Sequence, residues 1–257
     1  MDKAEQRKQY WFVIRELTSR EIKRKYSRSK LGIIWSVLNP LLTMAVMSMI
    51  FSYMFKHSIE NYPIYYLCGN VIWQLFTGAT NSAMTTLVDN KMMLIKVKFP
   101  MQIFVLARVY TAVINFLYSM IAFALMICVF RVIPSPALLF LPVIVFLLVI
   151  FALGISYILA TAYVFFGDVK HLYSVVLTLW LYMSAIFYPV QQLPDFLQKI
   201  IGCNPIFNYI DSMRCLVLYR TLPPTAEIMK IILWAVGSYL IGYTIFRCNK
   251  NKIMQKI

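Results

Sequence analysis

Acidic side chains are scarce in this sequence of 257 residues, which holds 10 Asp and Glu against 25 Lys and Arg. None of the ten lies inside any of the six long apolar runs described below. Transporters driven by a proton or sodium gradient usually need buried ionisable groups that bind the coupling ion. The lack of such groups argues against an ion-driven carrier.

Motifs for catalysis and metal binding are missing as well. No GxxxxGK[ST] phosphate loop occurs, so ATP hydrolysis through that motif must belong to another polypeptide. The five cysteines show no CxxC or CxxxxH spacing, and His57 and His171 are predicted to lie on opposite sides of a membrane. We therefore expect no catalytic residue, and no metal or cofactor bound by this chain. A disulfide between Cys203 and Cys215, which share a predicted compartment, stays open.

Charged residues make up only 14% of the chain and hydrophobic residues 61%, with a mean hydropathy of +0.70. Soluble domains are about 25% charged and about 45–50% apolar. A helix needs about 20 apolar residues to cross a bilayer. The six runs near that length are 31–55, 64–88, 101–130, 138–166, 172–188 and 229–246, the last two being the shortest. We predict an all-α membrane protein with six transmembrane helices.

Positive charge sets the predicted orientation. With six spans, the side that carries both termini collects 18 Lys and Arg, and the opposite side collects six. Cytoplasmic segments carry the excess of positive charge, so both termini are predicted to face the cytoplasm. The net charge of +15 does not indicate nucleic-acid binding, because the basic residues flank the spans.

The chain is predicted to form one transmembrane domain over 1–257. Residues 1–30 would be a cytoplasmic interface segment, 31–246 the six spans, and 247–257 a cytoplasmic tail. Residues 1–30 are rich in charge and contain no apolar core of a signal peptide. The amino end is therefore expected to stay on the membrane surface.

A capping box precedes the first run: Thr18 and Glu21 have the spacing in which each side chain caps the other residue's backbone amide. Leu17 and Ile22 occupy the hydrophobic-staple positions. Ile22 and Tyr26 share one face of an amphipathic helix that would lie in the headgroup plane. Because the apolar stripes before and after Thr18 do not align, we predict a break or bend there. The segment would be either a basic topology anchor on anionic lipid or a docking surface for a cytoplasmic partner.

The second predicted connection, 89–100, carries more apolar residues than a plain reversal of the chain needs. Met92, Met93, Leu94 and Ile95 would form an apolar knob exposed to the cytosol, which suggests a partner. Farther on, the predicted outer segment 189–227 has apolar stretches broken by proline, Gly202 and Asn204. We expect a re-entrant pair of short helices there, since broken helices at membrane depth must be buried in protein or line a cavity. Two helices lying on the outer leaflet are the alternative.

Four segments carry recognisable motifs in order along the chain. They are RELTSREIKRKYSRSKLGIIWSVLNP at 15–40, LIKVKFP at 94–100, FYP at 187–189 and NP at 204–205. Together they resemble the type-2 ABC exporter permeases that move O-antigen, capsule and teichoic-acid polysaccharides, and the resemblance covers essentially the whole chain.

The resemblance implies a location in a bacterial inner membrane and a homodimer of this permease with two separate nucleotide-binding ATPase subunits. The ATPase subunits would bind ATP and Mg²⁺, and the substrate would be a lipid-linked glycan. The channel would form between the protomers, chiefly from the first and fifth spans, with the outer broken helices as a gate. A type-2 exporter of a small molecule or drug would share fold and partners. A passive channel or membrane scaffold, a third alternative, would have no ATPase partner.

Site residues follow from the resemblance in three groups. The ATPase-coupling residues are Leu17, Thr18, Glu21, Ile22, Asn90, Lys91, Leu94, Ile95 and Lys96. The substrate-channel residues are Trp35, Phe51, Tyr53, Tyr182, Phe187 and Tyr188, whose rings could stack on sugars, although helix packing or an interfacial belt explains each equally simply. The candidates for the pyrophosphate or lipid headgroup are Arg24, Arg28 and Lys30, which topology alone would also explain.

Overall fold

The structure is a computed structural model that describes residues 3–27, 29–54, 59, 61–96 and 99–256. Its described residues form helices and turns with no β-strand among them, so the predicted all-α class is confirmed. The α-helices are α1 (Lys3–Tyr26), α2 (Ile34–Met54), α3 (Tyr62–Met84), α4 (Thr86–Asp89), α5 (Lys91–Lys96), α6 (Gln102–Val129), α7 (Leu141–Phe165), α8 (Val169–Met183), α9 (Asp195–Gly202), α10 (Pro205–Arg214), α11 (Thr225–Cys248) and α12 (Lys250–Lys256). Short 3-10 turns precede α7 and α9, and a π-helical turn, Cys215–Tyr219, extends α10.

Four helices among the described residues are long and apolar enough to cross a membrane. They are α2, α6, α7 with its preceding 3-10 turn, and α11. The other two predicted runs correspond to α3, which has 23 residues but a more polar sequence, and to α8, which has 15 residues. The predicted count of six spans therefore stays a prediction.

The fifth run was predicted to reach residue 188, but α8 ends at Met183. Ser184 to Tyr188 form a turn, with Ala185 at a positive φ of 47°. A residue at positive φ has left the right-handed helical conformation, so the helix cannot continue through Ala185. The turn brings Phe187 and Tyr188 back toward the bundle.

The core surrounds α3. Its residues Ile64, Leu67, Ile72 and Phe76 are fully buried, and the helix packs against α2, α6, α7 and α10. A helix enclosed by protein can carry polar side chains that a lipid-facing helix cannot, since other helices satisfy them. Thr80 of α3 is such a residue, because its hydroxyl accepts a hydrogen bond from the Tyr173 hydroxyl of α8 at 2.7 Å.

A second feature of the bundle is the close contact of α7 with α11. Gly154 lies against the backbone of Ser238 and Tyr239, and Gly242 lies against the carbonyl of Gly154. A Cβ atom on either glycine would overlap the backbone of the opposite helix. Small residues at helix crossings allow this approach in membrane proteins.

Candidate functional site

The two ends of the bundle carry the polar residues, and we name them by their helices. The α1 end holds α1, α4, α5 and α12, and the α10 end holds α9, α10 and the turn after α8. At the α1 end, Arg108 of α6 forms ion pairs with Glu21 of α1 and, at 3.5 Å, with Asp89 of α4. Its Nε donates to the Thr86 hydroxyl at 3.2 Å. One guanidinium therefore connects α1, α4 and α6.

The predicted break at Thr18 is wrong, because α1 is one continuous helix of 24 residues. The Thr18 side chain is buried, and its hydroxyl donates to the Ala107 carbonyl at 3.3 Å, so it does not cap a helix. The Glu21 carboxylate pairs with Arg108 and is not available for the capping box. Both side chains hold α1 against α6. The half-buried Leu17 packs into the apolar cluster at this end.

The connection after α3 is partly as predicted. Ile95 is 63% exposed, but Leu94 is only 4% exposed and packs with Leu87, Phe104 and Phe246 in the protein's own core. The expectation of an exposed Leu94 is therefore wrong, and the reason is that α5 folds back onto α6 and α11. Lys91 and Lys96 are exposed, Ile22 is half-buried, and Asn90 donates to the Thr86 carbonyl at 2.8 Å. The coupling role of these residues stays a prediction.

Four of the six predicted channel aromatics lie together at the α10 end. The ring centroids of Phe51 and Phe187 are 6.1 Å apart, as are those of Tyr182 and Phe187. The Tyr188 hydroxyl donates to the Tyr182 carbonyl at 2.6 Å. Tyr53 points away and is 85% exposed. Trp35 lies at the other end of α2, about 24 Å from Phe51 at the helical rise of about 1.5 Å per residue.

Of the predicted headgroup residues, Arg24 and Lys30 are exposed near the α1 end, and Arg28 lies outside the described residues. Arg24 lines a cavity of about 670 Å³ between α1, α3 and α6. Lys25, which was not among the predicted residues, lines the same cavity, and its Nζ lies 3.2 Å from the Asn115 side-chain oxygen.

A buried arginine at the α10 end was missed by the sequence analysis. Arg214 is 1% exposed, and its Nη2 donates to the carbonyls of Ala185 and Ile186 at 3.0 and 3.2 Å. Its guanidinium lies 3.5 Å from the centre of the Tyr65 ring. Arg214 thus joins α10 to α3 and to the turn after α8. Its position inside the apolar stretch 206–218 was the available signal.

Asp211, Cys215 and Glu227 place three ligand-type atoms within 4.8 Å of one another near Arg214. Burial raises the pKa of the Asp211 carboxyl, an effect that the Arg214 guanidinium only partly offsets, and raises the pKa of the Cys215 thiol to about 12. Burial in this way favours the uncharged forms of both groups as long as no cation is bound. Cys203 and Cys215 are both free, so the disulfide left open above is not formed; the helix α10 separates them.

Comparison with known proteins decides the family. The ABC-2 type transporter family matches residues 13–218, which is most of the chain. The chain belongs to the ABC-2 type transporter family. An O-antigen export system permease protein RfbA from Myxococcus xanthus is 29% identical over 257 residues, covering 97% of this chain and 96% of the relative. An O-antigen export system permease protein RfbA from Klebsiella pneumoniae is 30% identical over 239 residues, covering 92% of this chain and 90% of the relative.

Membership in the ABC-2 type transporter family agrees with the architecture. The matched region begins inside α1 and ends in the π-helical turn after α10, so it includes the Arg108 network, the aromatic group and Arg214. The chain is the membrane part of a transport system. The features at both ends of the bundle are therefore parts of a transport protein.

Proposed function

We propose that this chain is the membrane-spanning subunit of an ATP-driven exporter of lipid-linked polysaccharide. The observation that carries the proposal is the similarity, over nearly the full length of both chains, to permeases named for O-antigen export. The cargo would be a glycan of the O-antigen, capsule or teichoic-acid type. It would leave the cytoplasm across the cell membrane.

The proposed topology has six spans, formed by α2, α3, α6, α7, α8 and α11, with both termini in the cytoplasm of a bacterial cell. The polarity of α3 is compatible with a span because most of the helix is buried by other helices, and its remaining polar side chains line a groove between α3 and α6. The short α8 would be completed by the turn that follows it. Ser184, Ala185 and Ile186 in that turn are buried, as irregular backbone at membrane depth must be.

We further propose that α9 and α10 are the re-entrant pair and form a gate at the outer face. Ile206, Tyr209, Ile210 and Met213 of α10 are fully buried against the bundle. A helix lying on the outer leaflet would instead expose one face to lipid or water. The burial of α10 therefore favours the re-entrant arrangement.

The transport unit would be a homodimer with two nucleotide-binding subunits. In a single chain, the apolar residues Leu42, Val46, Met49 and Ile50 of α2 are exposed, and so are Leu172, Val175, Val176 and Leu179 of α8. Two such faces suit a protomer interface in which α2 and α8 border the channel. Phe51, Tyr182, Phe187 and Tyr188 would then lie along its outer part and offer rings to a moving polymer.

ATP and Mg²⁺ would bind to the partner subunits, which would contact the exposed side of α1 and the exposed Ile95 of α5. Movement there would pass into the membrane through the contacts of Arg108 with Glu21 and Asp89. In this proposal the chain moves the substrate, and the partner subunits hydrolyse ATP.

The test is export by proteoliposomes that contain the permease and its ATPase, assayed for lipid-linked glycan reaching the protected side when ATP is supplied. Ile95→Asp is expected to abolish ATPase association and export, since a charge replaces an exposed apolar contact. Ile133→Asp, at an equally exposed position in the connection after α6, is the matched control and should export normally. Transport driven by an ion gradient without ATP, or export of a drug and no glycan, would contradict the proposal.

A further inference from the structure

A polar groove runs between two helices that the sequence would place in lipid. Its cavity of about 670 Å³ lies between α3 and α6, with α1 along one rim. On α3 the lining residues Gln74, Thr77 and Asn81 recur every three or four positions and share one face. On α6 the lining residues Asn115 and Ser119 are four positions apart. The two helices thus face each other with amides and hydroxyls.

The groove reaches membrane depth. Asn115 stands in the middle of α6, a 28-residue helix that is long and apolar enough to span. Polar groups facing acyl chains are costly unless they are hydrogen-bonded. Yet the Gln74 and Asn81 side chains form no hydrogen bond with any other residue that the structure describes, and both are at least partly exposed in the single chain. The groove therefore suits a polar occupant.

The charge of the groove selects an anion. Two carboxylates line it, Glu21 and Asp89, and both are paired with Arg108. Lys25 and Arg24 on the rim form no ion pair within the described ranges, and the nearest contact of the Lys25 ammonium is the neutral Asn115 amide. The three cations of the groove outnumber its two carboxylates by one, and Lys25 and Arg24 have no carboxylate partner of their own among the described residues.

We propose that this groove binds the phosphorylated sugar head of a membrane lipid. The free amides of Gln74 and Asn81 would bond to sugar hydroxyls, and Lys25 with Arg24 would bind the phosphate. The open side of the groove would leave the lipid tail in the bilayer. The volume lies within the range of about 300–1,000 Å³ usual for small-ligand sites. This inference rests on the proposed function, since the lipid-linked glycan is the ligand with that chemistry, and it adds where the head is held.

The test uses the purified permease in nanodiscs without its ATPase. The probe is a short-chain polyprenyl-pyrophosphoryl-N-acetylglucosamine that carries a photoreactive diazirine on the sugar, and labelled peptides are mapped by mass spectrometry. We expect labels on the segments 74–81 and 111–119. The double variant Gln74→Leu with Asn81→Leu should reduce this labelling about tenfold, as expected for two lost hydrogen bonds. Gln102→Leu, on α6 but outside the groove, is the matched control.

Lys25→Gln tests the phosphate contact at an exposed position where folding is not at risk. It should weaken labelling by the pyrophosphoryl probe and leave unchanged the weaker labelling by an uncharged glycolipid of the same sugar. Competition with unlabelled compounds shows which kind of anionic ligand the groove prefers. Unlabelled polyprenyl-pyrophosphoryl sugar should displace the probe, whereas phosphatidylglycerol and inorganic pyrophosphate should not. Displacement by phosphatidylglycerol alone would make this an ordinary anionic-lipid site and overturn the proposal.

Labelling that maps elsewhere, or that the double Leu variant leaves intact, would also overturn it. If the double variant is not recovered folded, Gln74→Asn with Asn81→Asp takes its place, and unchanged labelling there counts against the groove. The proposed function fails by a different readout, namely absence of ATP-driven glycan export by the wild-type complex. Normal export combined with no labelling of the groove would refute only the present inference.

Discussion

Arg108 at the α1 end and Arg214 at the α10 end both join three parts of the bundle, but they do so with different chemistry. Arg108 is partly exposed and pairs with two carboxylates, whereas Arg214 is fully buried and is held by two backbone carbonyls and a tyrosine ring. A partly exposed ion pair can exchange its partners for water at little cost. A buried cation held by dipoles cannot, because water does not reach it. The comparison indicates that contacts at the α1 end can exchange during transport, whereas Arg214 keeps α10 and the turn after α8 together as one unit.

The largest loss of stability is expected when Arg214 is replaced. Arg214→Met would leave the carbonyls of Ala185 and Ile186 without their donor and remove the cation over Tyr65, which should lower the free energy of unfolding by about 3 kcal/mol. Chemical unfolding in detergent micelles measures the change. Lys199→Met, at an exposed position on α9, is the control and should be neutral. A loss as small as that of the control would remove the contrast between the two ends.

A smaller effect on stability is expected at Arg108. Arg108→Met should cost about 1 kcal/mol, because Glu21 and Asp89 can be solvated once the pair is lost. ATP-dependent export should fall far more than stability does, since α1 and α4 lose their common contact. The exchange of Arg108→Glu with Glu21→Arg should recover part of the activity in a double-mutant cycle. Export that follows stability in every variant would contradict a role in transmission.

Two substitutions of Tyr65 distinguish the two contacts that its side chain makes at the α10 end. Tyr65→Phe keeps the ring over Arg214 and loses the hydrogen bond from its hydroxyl to the Tyr188 carbonyl, at 2.8 Å. Tyr65→Leu loses both. The Leu variant should be less stable than the Phe variant by about 2 kcal/mol, the value of a cation–π contact shielded from water, in the same unfolding experiment. Equal stabilities would show that the ring contributes only its bulk.

The smallest expected effect is that of salt concentration on the destabilisation caused by the two arginine variants. Raising the concentration from about 0.05 M to about 1 M shortens the screening length to about 3 Å and weakens exposed pairs much more than buried ones. The destabilisation caused by Arg108→Met should shrink by a few tenths of a kcal/mol. The destabilisation caused by Arg214→Met should not change. Parallel behaviour of the two variants would place both arginines in the same environment.

The contrast between the ends also shows what the sequence could predict. Apolar run length located the long helices and the all-α class, because a span needs about 20 apolar residues wherever it occurs. The ion pair between Glu21 and Arg108 joins residues 87 positions apart, and no local pattern indicates it. Thr18 and Glu21 have the spacing of a capping box, but the Thr18 hydroxyl donates to the Ala107 carbonyl of α6 and does not cap α1.

Local sequence patterns also failed to predict which apolar side chains are exposed. Leu94 and Ile95 are neighbours of similar hydrophobicity, and only the packing of α5 against α6 and α11 buries the first and exposes the second. The aromatic group at the α10 end was predicted in part, because Tyr182, Phe187 and Tyr188 are close in sequence. Trp35 was assigned to the same surface as Phe51 by their common helix, although they lie at its opposite ends.

The glycine contact between α7 and α11 limits which parts of the protein can change shape. With Gly154 and Gly242 set backbone against backbone, neither helix can slide or rotate past the other without first separating from it. We therefore expect α7 and α11 to keep the same position relative to each other in every state of the transport cycle. Opening and closing would then be left to the other helices, namely α1, α2 and the proposed gate of α9 and α10 with the adjoining end of α8, and an inhibitor designed to arrest the cycle would need to bind there.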